Sequence, residues 1–136
     1  MSAGATGGLA GPGAGAGVAV GEQTLVLGIE TSCDETAAAL VLGGHDVVSS
    51  VVSTQVDLHA QFGGVVPEIA SRAHLDLLNP LIARAVVEAG VDESRIDAVA
   101  CTVGPGLIGA LLVGVSAAKA LALTWGVPFV GVNHME

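Results

Sequence analysis

Tyrosine is missing altogether, and two phenylalanines and one tryptophan are the whole aromatic content of 136 residues. A core without large rings has to be assembled from Ala, Val, Leu and Ile, and a chain that is 51% hydrophobic supplies them in a globular rather than disordered composition. Cations are scarce as well. Four Lys and Arg face thirteen Asp and Glu, the formal net charge is -9, and the first basic residue is Arg72. Nucleic-acid binding rests on Lys and Arg neutralising phosphates, so a basic surface for RNA is expected outside this chain, on further sequence or on a partner. Cysteine is limited to Cys33 and Cys101, too far apart for a metal-ligand spacing. Two buried thiols in a cytoplasmic protein is the expectation. The N-terminus lacks the positive charge that opens a secretory signal. The stretch from Leu107 to Val132 is apolar enough to raise a membrane span, but Lys119 sits near its middle and Trp125-Gly126-Val127-Pro128 breaks it. A charge at the bilayer centre costs about 3 kcal/mol, so a soluble chain with no membrane partner is expected.

What is present divides into a tail and one domain. Residues 1–22 are nearly all Gly and Ala, a low-complexity segment expected to be flexible, and residues 23–136 carry the fold. Leu25 to Ile29, Ala37 to Leu42 and Val47 to Thr54 are three apolar runs of strand length joined by short turns, which predicts an antiparallel meander. The period then changes. Pro67 and Glu68 suit a helix start, Gly90 a helix end, and Ile69, Ala73, Leu77, Leu81, Ala85 and Ala89 recur at steps of four between them. Leu78, Ile82 and Val86 lie beside that stripe, and Pro80 predicts a bend. Ile96 to Val103 reads as a buried strand. Leu107 to Trp125 reads as a helix apolar nearly all round, which predicts cover on more than one side, and Phe129 to Val132 as a last strand. The order βββαβαβ is α/β and predicts a mixed sheet with helices over it, the ribonuclease H-like arrangement.

Three places could carry chemistry. In Glu30-Thr31-Ser32-Cys33-Asp34-Glu35-Thr36, three hydroxyls and three carboxylates crowd the turn between two strands. Hydroxyls and turn amides can hold phosphate oxygens, and carboxylates can hold Mg²⁺ or take a proton. The same residues are also ordinary turn formers. In Gly104-Pro105-Gly106-Leu107-Ile108-Gly109, a glycine turn opens a helix, which suits close backbone approach and an anion at the helix N-terminus. It lacks the Gly-Lys-Ser/Thr ending of a P-loop, and tight helix-on-sheet packing explains its glycines equally well. His134 follows the last strand. The other histidines, His45, His59 and His74, share no ligand spacing and fall in a turn, a loop and a helix face.

The string from Leu27 to Thr36, Leu-Gly-Ile-Glu-Thr-Ser-Cys-Asp-Glu-Thr, resembles the opening of the TsaD family, the catalytic subunits of tRNA threonylcarbamoyladenosine synthesis once labelled O-sialoglycoprotein endopeptidases. The resemblance continues from His59 to Arg72, returns from Gly104 to Gly114 and ends on Asn133-His134-Met135-Glu136. It implies an actin-like, two-lobed fold with the active site between the lobes. It further implies transfer of threonylcarbamoyl from its adenylate to N6 of adenosine 37 in tRNAs reading codons that start with A. Asp34 and Glu35 are then the catalytic candidates, facing the substrate's phosphate and carbamoyl, with Ser32, Gly104 and Gly106 as substrate- or phosphate-binding neighbours. An ATP- or adenylate-type nucleotide is the implied ligand, and His134 matches the first ligand of a His-Met-Glu-Gly-His motif that holds iron or zinc. The implied partners are a scaffold paralogue, the ATPase subunits of the modification complex, and tRNA.

The chain departs from that pattern by ending at Glu136, before the second histidine and the second lobe. It therefore reads as the first lobe alone, expected to be inactive by itself. Two other readings stay open: a non-catalytic scaffold lobe of the same pathway, and a metalloendopeptidase. A zinc protease places Glu directly after its first His, whereas Met135 follows His134 here, which disfavours the second.

Overall fold

The computed structural model describes residues 19–55 and 60–133. Three strands open it: β1 (Leu25–Glu30), β2 (Glu35–Leu42) and β3 (Asp46–Thr54). The long helix α1 (Pro67–Ala89), a 3-10 turn (Glu93–Arg95), β4 (Ala98–Gly104), α2 (Ile108–Trp125) and β5 (Phe129–Asn133) follow. The expected βββαβαβ order is what forms.

The five strands lie in the order β3-β2-β1-β4-β5. β1 pairs antiparallel with β2, Leu25 opposite Leu42 and Glu30 opposite Ala37, while β3 continues the meander on β2. On its other edge β1 pairs parallel with β4, Val26 opposite Ala98, and β4 pairs parallel with β5. A parallel neighbour cannot be reached by a tight turn, which is why each of these strands follows a helix. The fold is the mixed, ribonuclease H-like sheet expected from the sequence.

Both helices cover the same face. Leu25, Leu27 and Ile29 alternate onto it from β1, Ala38 and Leu40 from β2, Val99 and Cys101 from β4, and they meet Leu78, Leu81, Ile82, Ala85 and Val86 of α1. On the opposite face Val26, Ala98, Ala100 and Val130 form a smaller cluster. Val20, within the segment read as a tail, packs against it. Residues 1–18 lie outside the described residues.

α1 buries the expected face from Leu78 onward and departs from it in its first turns, and α2 buries less than expected. In α1 the buried residues are Ala70, His74, Leu78, Leu81, Ile82, Ala85 and Val86, while Ile69, Ala73 and Leu77 are only half-buried. At 3.6 residues per turn, each step of four advances about 40° around the axis, so a stripe drawn at fixed fours slides off the buried face. α2 buries a narrow line of small residues, Ala110, Gly114, Ala118 and Ala122, and leaves Ile108, Leu112 and Leu123 exposed. Cover on several sides, expected from its composition, is not found among the described residues. By length and composition α2 could cross a membrane, but here its small-residue line lies on the sheet. Both helices close on a left-handed glycine, Gly90 at φ 69° and Gly126 at φ 67°, a conformation that suits glycine best.

Candidate functional site

β1 and β4 run parallel, so the turn after β1 and the turn after β4 leave the sheet at the same end. Outside the carboxyl ends of parallel strands is where open α/β sheets bind ligands. The two constellations read separately in the sequence meet there. The Leu107 N–H donates to the Ser32 carbonyl at 2.8 Å. A Cβ built on Gly106 would stand 2.6 Å from that same oxygen, so only glycine permits the approach. Gly104 has no atom within 4 Å of such a Cβ, so of these two glycines only Gly106 is held to glycine by a close approach.

The polar crowd of the β1–β2 turn separates into anchors and free groups. Glu30 is an anchor: one carboxylate oxygen accepts the Ser32 N–H at 2.8 Å and the other the Thr102 hydroxyl at 3.0 Å. Thr31 is fully buried and its hydroxyl donates to the Ala110 carbonyl in the first turn of α2. Thr36 is fully buried 2.7 Å from Nδ1 of His74. The Gln55 N–H donates to the Asp34 carbonyl at 2.8 Å, tying the turn to the end of β3. Asp34 is half-buried, Glu35 exposed and Ser32 buried. Glu30, Ser32, Cys33, Asp34 and Glu35 together line an open cavity of about 310 Å³.

Cys33 lines this cavity, whereas Cys101 lies within β4 and outside its lining. Cys33 is exposed, but partial burial of its thiol and then the Asp34 charge push its pKa above the ordinary range. Cys101 lies under the sheet, where burial first and Glu30 second push its thiol up to about 12. Raised values keep both protonated near neutrality, the opposite of an activated thiolate.

Of the residues singled out in the sequence, Ser32, Asp34, Glu35, Gly104 and Gly106 fall at this one end of the sheet. His134 and His59 lie outside the described residues. Asn133 pairs with Gly104 and so reaches the same end. Among the described residues no three His, Cys, Asp or Glu side chains group to hold a metal ion. Sequence reasoning missed two residues of the site. The sequence groups Glu30 with the other two carboxylates of the turn and places His74 on a helix face with no shared ligand spacing. The spacing of His74, four from Ala70 and from Leu78, would have placed it on the buried face, where a polar ring needs partners.

Comparison with known proteins matches residues 46–136 to the family model described as TsaD: tRNA N6-adenosine threonylcarbamoyltransferase. The protein of that name from Pelobacter propionicus is 66% identical over 112 residues, which are 82% of this chain and 33% of the relative. One from Anaeromyxobacter dehalogenans is 62% identical over 114 residues, 84% of this chain and 34% of its own length. One from Geobacillus thermodenitrificans is 60% identical over 114 residues, again 84% of this chain and 33% of the relative. The chain thus spans about a third of the length of the curated relatives it matches. Among solved structures, YeaZ from Pseudomonas aeruginosa superposes with a TM-score of 0.61 at 24% identity, covering 82% of this chain and 44% of that one, a likeness of fold.

Proposed function

The chain belongs to the tRNA N6-adenosine threonylcarbamoyltransferase family, and on that premise we propose that it forms one wall of a transferase active site. The observation that carries this reading is the contact between the Asp34–Glu35 turn and the Gly106 turn, bonded through Leu107 and Ser32 at the carboxyl ends of parallel strands. The reaction is acyl transfer: a threonylcarbamoyl carbon leaves AMP and bonds to N6 of an adenosine in tRNA. The adenylate is a good leaving group, so the protein's work is to position the amine, steady charge on the carbonyl oxygen and remove a proton. Asp34 and Glu35 face the cavity free of the anchoring bonds that occupy Glu30, and one of them accepts the N6 proton as the new bond forms. Ser32 and the backbone at Gly104 and Gly106, beside the start of α2, suit the phosphate of the adenylate. His134 is the metal ligand by resemblance. The described residues offer no set of three ligands, so no step here is routed through an ion.

Partners follow from the surface. α1 and α2 leave a groove of about 450 Å³ lined by Leu75, Leu78, Leu112 and Val113, and Ile108 extends the apolar area. A subunit of a tRNA-modification complex in the cytoplasm fits that face, the scaffold paralogue first among the implied partners. Basic residues are sparse on this chain, so the tRNA contact belongs to other sequence or other subunits.

The test replaces the matching third of the Pelobacter propionicus relative with residues 23–133 and assays tRNA modification. The hybrid should be active, and whichever of Asp34→Asn and Glu35→Gln removes the base should lower turnover about 10²–10⁴-fold. Near-normal turnover in both variants would return these residues to the role of turn formers.

A further inference from the structure

His74 is the largest fully buried polar side chain among the described residues. It stands on α1, yet both ring nitrogens reach away from the helix into the β1–β2 turn. Nε2 lies 2.8 Å from the Cys33 carbonyl oxygen. Nδ1 lies 2.7 Å from the Thr36 hydroxyl. The two residues between those anchor points are Asp34 and Glu35.

The Cys33 partner fixes which nitrogen donates. A carbonyl oxygen only accepts, so Nε2 must carry hydrogen and donate to Cys33. In the neutral ring Nδ1 is the acceptor of the Thr36 hydroxyl. One imidazole thereby closes a bridge across the ends of a four-residue segment. Aliphatic side chains could fill the same volume but could make neither bond, and they would leave the buried Thr36 hydroxyl and Cys33 carbonyl without this partner. Packing alone therefore does not account for a histidine here.

We propose that His74 is a positioning residue, a staple from α1 that fixes the backbone of the Cys33–Thr36 turn and so aims Asp34 and Glu35 into the cavity. The proposal rests on the reading of that turn as the substrate-facing wall. It acts through the turn and touches no reacting atom itself. The other end of the turn is held separately, by Glu30 on the Ser32 N–H and by Leu107 on the Ser32 carbonyl, so the staple has a defined share of the work.

The test uses the whole 136-residue chain without ligand. Nitrogen-15 spectra of the histidine rings should show His74 as the neutral tautomer protonated on Nε2. Amide exchange is then read at Gln55, bonded to the Asp34 carbonyl, with Gly43, bonded to the Thr24 carbonyl at the far end of the sheet, as control. Glutamine places an amide donor near the Nε2 position, asparagine places one near Nδ1, and leucine offers neither. His74→Leu and His74→Asn should speed exchange at Gln55 about tenfold, the scale of one lost hydrogen bond, and leave Gly43 unchanged. His74→Gln should recover most of the protection. Equal exchange at Gln55 in all four proteins would overturn the staple, as would an Nδ1-protonated ring or acceleration at Gly43 as large as at Gln55 in His74→Leu and His74→Asn. Should His74→Leu fail to fold, the tautomer and the contrast between asparagine and glutamine decide. Failure here leaves the carboxylates' role to the Asp34→Asn and Glu35→Gln assay, so the two claims fail separately.

Discussion

The hydroxyl of Thr31 stands between two groups of α2 that an α-helix joins to each other, accepting the Gly114 N–H at 3.1 Å and donating to the Ala110 carbonyl at 2.7 Å. Gly114 has to be glycine for this, because a Cβ there would collide with Thr31 Oγ1 and lie 3.1 Å from Cys101 Sγ. The end of β1 is thereby inserted into the first turns of the helix. Thr31→Val keeps the volume and removes both bonds at a fully buried site. It should destabilise the chain by about 1–3 kcal/mol, read from urea unfolding followed by Trp125 fluorescence.

Two glycines of one turn should respond differently to the same change. Gly106→Ala drives a methyl against the Ser32 backbone at 2.6 Å, and relief requires the turn or α2 to shift. About 1–3 kcal/mol of destabilisation is expected. Gly104→Ala meets nothing within 4 Å and should stay within about 0.5 kcal/mol of the parent. Equal losses at the two positions would mean that the contact with Ser32 is not what constrains the turn.

Alkaline pH should expose Cys101. Its folded pKa of about 12 lies above the ordinary 9.0, so the native state holds a proton that the unfolded chain releases. The sign follows: this contribution is complete below about pH 9 and is lost as pH rises towards 12, at up to about 1.4 kcal/mol per pH unit. Cys101→Ala should flatten that part of the stability curve whatever it does to stability at pH 7. An unchanged slope between pH 9 and 11 would show that other groups set the alkaline limit.

The apolar helix face makes a prediction about association. Leu75 at 66% exposure and Leu112 at 57% flank the same groove. Contiguous apolar surface of this kind favours contact between molecules. The chain by itself should self-associate on size-exclusion chromatography, and Leu75→Glu with Leu112→Glu should shift it to monomer while leaving far-ultraviolet dichroism intact. A parent chain that elutes as monomer would remove the argument for a docking face.

Element order and most boundaries were legible in the sequence because turns and caps are local. Gly90 and Pro67 mark the ends of α1 through backbone conformations that neighbours in sequence determine. The meander likewise follows from short polar turns between apolar runs. What was illegible depends on contacts across the fold. No local rule says that Glu30 is spent on Thr102, 72 residues away, or that His74 reaches back 41 residues to Cys33. The same limit applies to α2. Its composition is apolar all round, and only the sheet determines that the line through Gly114 is the one buried. The sequence shows Glu30, Asp34 and Glu35 as one cluster of carboxylates, and only the hydrogen bonds separate Glu30 from the other two.

The change from antiparallel to parallel pairing at β1 also sets an order of events during synthesis. β1 to β3 can pair as soon as residues 25–54 have emerged, since their contacts are local. The other edge of β1 stays bare until β4 appears, with Val26 waiting for Ala98 and the Leu25 N–H for the Asp97 carboxylate. Thr31 waits longer still, for residues 110 and 114. At ribosomal rates of about 5–20 residues per second, that is an interval of several seconds with an unpaired, apolar strand edge in water. The nascent meander is the stage at which a chaperone has most to shield, and a pause in translation before β4 would lengthen it.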